Sequence, residues 1–148
     1  MAMHFEGEID VPAPKERLYA FITDPAKVVS ILPDVEESKF IDSDHFFVKS
    51  KLGMSYLKGT VGLNFEITEK RKDEFARVVG RGQGIQSSID LALELAIESA
   101  PGGCKGRWSA DAKVGGLLAS VGGRILNGVA EKYVKQITES LKQRVSAQ

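Results

Sequence analysis

The sequence predicts an α+β fold in which helices cover one face of an antiparallel sheet. Three observations carry that prediction. From Val35 to about Val114 apolar residues recur at every second position, the period of a half-buried strand. After Gly116 they recur every three or four residues, the period of an amphipathic helix. The connections between the period-two stretches are short, which requires antiparallel hairpins because parallel pairing needs long crossovers.

The elements follow in order. In MHFEGEIDV, Met3, Phe5, Gly7, Ile9 and Val11 alternate with His4, Glu6, Glu8 and Asp10, a strand with one wet face. Pro14 suits the start of a helix over PKERLYAFITD, whose stripe is Leu18, Phe21 and Ile22. Asp24-Pro25 reads as an N-cap followed by proline, opening a second short helix PAKVVSIL that Pro33 ends. The expected strands are then EESKFID, HFFVKSKL, LKGTVGLNFEITEK, EFARVVGRG, SSIDLALELAIE and CKGRWSADAKV. Turn chemistry at 42–44, 70–73 and 100–103 separates them. Last comes one long helix with Leu118, Val121, Ile125, Val129, Tyr133, Ile137 and Leu141 on its apolar stripe.

Composition narrows the setting. The 148 residues suffice for a single domain over 1–148 with a sizeable core. Twenty basic and twenty acidic side chains cancel, so no net field draws the chain to nucleic acid or to an anionic membrane. One cysteine, Cys104, rules out an internal disulfide and points to a reducing, cytoplasmic setting. No apolar run approaches the roughly 20 residues of a membrane span, and the polar start MAMHFEGEID is not a signal peptide.

Reactive constellations are sparse. His4 and His45 are the only histidines, with no HxxxH or CxxC spacing, so no metal or cofactor is expected. Cys104 reads as a small buried thiol. GRGQG at 80–84 lacks phosphate-loop spacing and precedes strands, which makes it a bending point in a curved sheet. The basic run Lys70, Arg71 and Lys72 is flanked by Glu69, Asp73 and Glu74 and reads as a solvated hairpin tip. The inward polar candidates are Ser50, Thr60, Tyr133 and Arg124, which make no acid–base pair, so catalytic residues are not assigned.

Four stretches carry a resemblance: the opening strand into VPAPKERLYAFITDP, then GTVGLNFEI, GRGQGIQSSIDLAL and VGGLLASVGGRILNGVAEKYV. In them the chain resembles the START-like, helix-grip SRPBCC superfamily, and within it the carbon monoxide dehydrogenase G-subunit family. The resemblance implies a curved antiparallel sheet of about six or seven strands wrapping the long C-terminal helix, with two short helices after strand one. Pro33-Asp34 stands where relatives often carry Pro-Gly. Many relatives continue into a membrane-anchoring tail, whereas this chain stops at Gln148, so anchoring is not expected.

What the superfamily implies for function is a cavity between sheet and helix that accepts apolar molecules. Its candidate lining on the sheet is Leu63, Phe65, Leu93, Leu95 and Trp108. The helices contribute Phe21, Ile22, Leu118, Gly122, Ile125, Leu126, Val129 and Tyr133. The expected role is a small binding or carrier protein for a lipid-, isoprenoid- or quinone-like ligand. The alternatives are an accessory factor that docks on molybdenum-containing dehydrogenase subunits and a polyketide-cyclase-like enzyme. Gly115 and Gly116 are expected at the strand-to-helix junction. Gly122, Gly123 and Gly128 are expected inside the helix, costing roughly 3 kcal/mol relative to alanine, with at least one giving close approach to the sheet or room for a ligand.

Overall fold

A computed structural model describes residues 1–54 and 57–147. The strands are β1 (Ala2–Val11), β2 (Val35–Phe40), β3 (His45–Met54), β4 (Leu57–Arg71), β5 (Phe75–Gly84), β6 (Ser87–Ala100) and β7 (Gly103–Gly116). The helices are α1 (Lys15–Ile22), α2 (Pro25–Ser30) and α3 (Gly123–Ser146), with a 3-10 turn over Leu117–Val121. The strands form one seven-stranded sheet in the order β1-β7-β6-β5-β4-β3-β2. Every neighbouring pair is antiparallel. Strands β1 and β2, consecutive in the chain, therefore lie at opposite edges, and α1–α2 carries the chain between them.

The local chemistry explains the boundaries. Asp24 caps α2 by accepting from the Ala26 N–H at 3.1 Å, with Pro25 at the first helical position. Asp34 turns the chain from α2 into β2 at a left-handed φ of 58°, and its carbonyl accepts from the Lys51 N–H at 3.0 Å. The solvated face of the sheet carries rows of opposite charge, such as Arg107 with Glu98 at 3.2 Å and Arg77 with Glu94 at 3.3 Å. Such exposed pairs contribute little to stability.

Aromatic rings on β4 and β7 lie across glycines on the neighbouring strands. A Cβ at Gly7 would stand 2.8 Å from the Trp108 ring, and one at Gly80 would stand 2.7 Å from the Phe65 ring. In GRGQG, a Cβ at Gly82 or Gly84 would run into the backbone of β4. The motif is thus a place of close strand approach within β5, in keeping with its reading as sheet rather than a phosphate loop.

The covered face divides into three packed clusters. The first joins Val11, Leu18, Phe21, Leu95, Ile97, Cys104, Leu141 and Val145, with Ile22 and Trp108 against it. The second joins Leu57, Val114, Leu118 and Leu126, with Ile89 and Val129 against it. The third joins Phe46, Val48, Phe65 and Ile67, with Leu32, Val35, Leu63, Val78 and Leu91 against it.

The start of the long helix differs from the sequence expectation. Leu117–Val121 is 3-10, and α3 begins only at Gly123. Gly116 (φ 83°, ψ −148°) and Gly122 (φ 95°, ψ 154°) adopt backbone angles that side chains strongly disfavour, bracketing the turn on either side. Gly122 is therefore a corner, not a helix-interior glycine, and Gly123 is the first residue of α3. A Cβ at Gly122 or Gly128 would meet nothing within 4 Å, and one at Gly123 only the Met1 Cε at 3.5 Å. Close approach of helix to sheet is not what these glycines provide.

Candidate functional site

An amphipathic helix normally buries its whole apolar stripe. Helix α3 buries the ends of its stripe and leaves the middle half-buried. Leu126 packs into the second cluster, Leu141 and Val145 into the first, and the backbone of α3 comes near β1, α1 and the 3-10 turn. Between the anchors, Tyr133, Val134 and Ile137 are half-buried and belong to none of the three clusters. From Leu126 to Leu141 the helix rises about 22 Å, so the loosely covered span is long enough for a small molecule.

The sheet shows the matching gap. Leu93 shares a face of β6 with Leu91, Leu95 and Ile97, because side chains alternate along a strand. Leu95 and Ile97 are buried in the first cluster and Leu91 packs on the third, yet Leu93 between them is 38% exposed. A leucine in a central strand, on the covered face, has lost its cover. Together with the half-buried middle of α3 it makes the candidate groove between sheet and helix.

Both ends of the groove are fastened by specific contacts. At the C-terminal end of α3, the Arg144 Nη1 donates to Ser30 Oγ at 2.9 Å, and the guanidinium lies 5.7 Å from the centre of the Phe21 ring. The Arg17 Nη1 donates to the Val145 carbonyl at 3.4 Å. At the other end, Ser87 Oγ accepts from the Leu118 N–H at 2.8 Å and donates to the Ile85 carbonyl at 2.8 Å, tying the 3-10 turn to the β5–β6 hairpin.

The residues expected to line a cavity fall into two groups. Phe21 and Leu95 are buried in the first cluster, Leu118 and Leu126 in the second and Phe65 in the third. Ile22, Leu63, Trp108 and Val129 are half-buried at cluster margins, while Leu93 and Tyr133 belong to the open middle. Ile125 is placed differently: it lies about 100° around the helix from Leu126 and is 41% exposed. Gly122 shapes the entry of α3 and offers no contact. Val78, packed on the third cluster, and the half-buried Val134 were not among the expected lining, and their signal was weak because valine is equally common in filled strands and helices.

Electrostatics distinguish the interior from the surface. Burial pushes the Cys104 thiol up, which keeps it protonated and unreactive. Burial, with the Asp34 carboxylate, also pushes the Tyr133 phenol up. His4 is raised by its 2.7 Å contact with Asp111 and its 3.1 Å contact with Glu6, and His45 by Asp42 at 2.8 Å, all on the solvated side. Among the described residues no three His, Cys, Asp or Glu side chains converge as a metal site. Two surface hollows, one lined by Pro12–Glu16 with Ser99, Gly102 and Gly103, the other by Gln83, Gly84, Gln86–Ser88 and Gly116, lie outside the groove. Among the described residues no helix is long and apolar enough to cross a membrane.

Comparison with known proteins adds to this geometry. The family model for the carbon monoxide dehydrogenase G-subunit (CoxG) matches residues 7–146. No curated protein sequence matches the chain. A conserved protein from Geobacillus kaustophilus superimposes with a TM-score of 0.87 at 18% identity, covering 98% of this chain and 96% of that one. Ara h 8.0201 gives 0.69 at 15% identity, with 100% of both chains covered. The Zhui aromatase/cyclase from Streptomyces sp. R1128 gives 0.68 at 12%, covering 98% and 94%. At these identities the solved structures speak to the fold alone, a helix-grip arrangement of curved antiparallel sheet and long C-terminal helix.

Proposed function

Because the chain belongs to the carbon monoxide dehydrogenase CoxG family, we propose that it is a cytoplasmic binding or carrier protein for an apolar, lipid-, isoprenoid- or quinone-like molecule held between the sheet and α3. The observation that carries this reading is the exposed Leu93 on the covered face of the interior strand β6, in a fold whose long helix has a half-buried middle. Covering that surface with ligand would yield about 25 cal/mol per Å² of apolar area, less the cost of immobilising the ligand. The role is binding rather than catalysis, with the groove walls apolar and Tyr133 their main polar group.

Native mass spectrometry of the purified protein, paired with an organic extract, should reveal a co-purifying apolar molecule. An empty protein whose melting temperature is unmoved by a panel of lipids and quinones would sink the reading. The family also favours a second role, docking on carbon monoxide dehydrogenase-type subunits. Co-purification of those subunits with a tagged chain would support it, and recovery of the chain alone would count against it.

A further inference from the structure

The two most exposed large apolar side chains among the described residues are consecutive, Phe40 at 51% and Ile41 at 63%. They stand at the end of β2, the strand that closes the sheet at the edge opposite β1. Phe40 lies opposite the buried Phe46 and so shares the covered face, while Ile41 turns to the solvated one. A helix or flat surface laid on the sheet would cover only one of them. A strand added along the edge touches both faces and covers the two together. The backbone of β2 singles out a centre for such a strand. The Ile41 N–H donates to the His45 carbonyl at 3.0 Å, and along an antiparallel ladder inward-bonded residues alternate with outward-facing ones. Glu37 and Lys39 therefore turn their backbone groups to β3, and Ser38 and Phe40 present theirs to the free edge. The bulge between Val35 and Glu37 leaves 37–41 as the regular stretch.

We propose that β2 is a self-recognition edge, on which a second copy of this chain docks its own β2 antiparallel about Ser38. Two identical antiparallel strands that share a sheet face across a two-fold axis must meet with one residue opposite itself. Centred on Ser38, the two serines exchange backbone N–H and carbonyl groups, and Glu37 of each chain stands opposite Lys39 of the other. Both side chains are exposed on the solvated face and lie 3.5 Å apart along the strand. Two copies would therefore set four alternating charges in a square. A centre at Glu37 or Lys39 would bring like charges face to face and would need backbone groups that β3 already holds. The other edge strand, β1, carries Glu6, Glu8 and Asp10 exposed, so pairing about its midpoint sets acid against acid. One short strand pair is smaller than a standard interface, so the dimer is weak and reversible.

Sedimentation equilibrium of the full chain between about 10 μM and about 1 mM, where so small an interface associates, should show monomers exchanging with dimers. Ser38→Pro removes the outward N–H without touching β3 and should leave only monomer. Glu37→Lys and Lys39→Glu each turn attraction into repulsion on both sides of the axis and should weaken association about tenfold or more. Mixing these two single variants restores opposite charges across the axis, so the mixture should dimerise about as well as the wild-type chain. Circular dichroism melts confirm that each variant folds. A wild-type chain that stays monomeric throughout overturns the proposal. A dimer that none of the substitutions weakens forms elsewhere and overturns it too, as does a mixture that associates no better than either variant alone.

Discussion

The two parts of the interface between α3 and the sheet obey different rules. At the C-terminal end, Leu141 and Val145 pack with Phe21, Leu18, Leu95 and Ile97, and Phe21 is 0% exposed. A helical turn or two earlier the same stripe is only half-buried, and on the sheet Leu93 is exposed. The first region behaves as a filled core, where close packing makes each methylene count. The second resembles a ligand surface that has kept its apolar character without its contacts. Rigidity at the ends and space in the middle come from one helix, because anchoring both of its ends fixes the span between them.

Substitution should separate these regions sharply. Phe21→Ala, in the filled end, should lose about 3–5 kcal/mol in denaturant unfolding. A loss near zero would mean that this end is no better packed than the middle. Gly122→Ala forces a side chain onto a φ of 95° and should cost about 1–3 kcal/mol, although the added methyl meets nothing. Gly128→Ala, inside α3 and exposed, should instead gain about 1 kcal/mol from helix propensity. If the two glycines respond alike, the corner at Gly122 is not strained and the boundary of α3 is misplaced.

Leu93→Ala probes the open middle. It should cost about 1 kcal/mol or less in stability, since the side chain is already partly in water, while reducing the affinity of an apolar ligand. A loss as large as that of Phe21→Ala would show that the groove is filled core. The smallest effect belongs to the surface. His45 has its pKa raised, first by the hydrogen bond to Asp42. Its contribution is therefore fully present below the unfolded value of about 6.5 and is lost as pH rises through the folded value. His45→Gln should flatten a slight fall in melting temperature between mildly acidic and mildly alkaline buffer, leaving ligand binding untouched.

The sheet was legible in the sequence because one of its faces is wet. Asp90, Glu94 and Glu98 alternate with Leu91, Leu93, Leu95 and Ile97, and a slip of one residue would turn the whole set over. The start of α3 was less legible. LLASV has helical spacing, and only the backbone angles at Gly116 and Gly122 make it a separate 3-10 turn. The groove was hidden for a different reason. Leu93 and Leu95 are identical letters at identical parity, and what distinguishes them is that the first cluster closes over Leu95 and not over Leu93, a property of the assembled chain. Ile125 illustrates the same limit: spacing put it on the stripe, and the drift of a 3.6-residue turn along a four-residue repeat carries it to the flank.

The ring lying over Gly7 has a practical consequence. The chain contains one tryptophan, and Trp108 is held against β1 beside the filled end, on the side the helices cover. Its emission is therefore an optical signal from a single known place, free of overlap from other indoles. A shift or quench on adding an apolar compound would report binding over β6 and β7, because Leu95 pairs with Trp108 and Leu93 is the diagonal neighbour on the same face. Fluorescence thus gives a direct readout of the incompletely covered part of the sheet without any label.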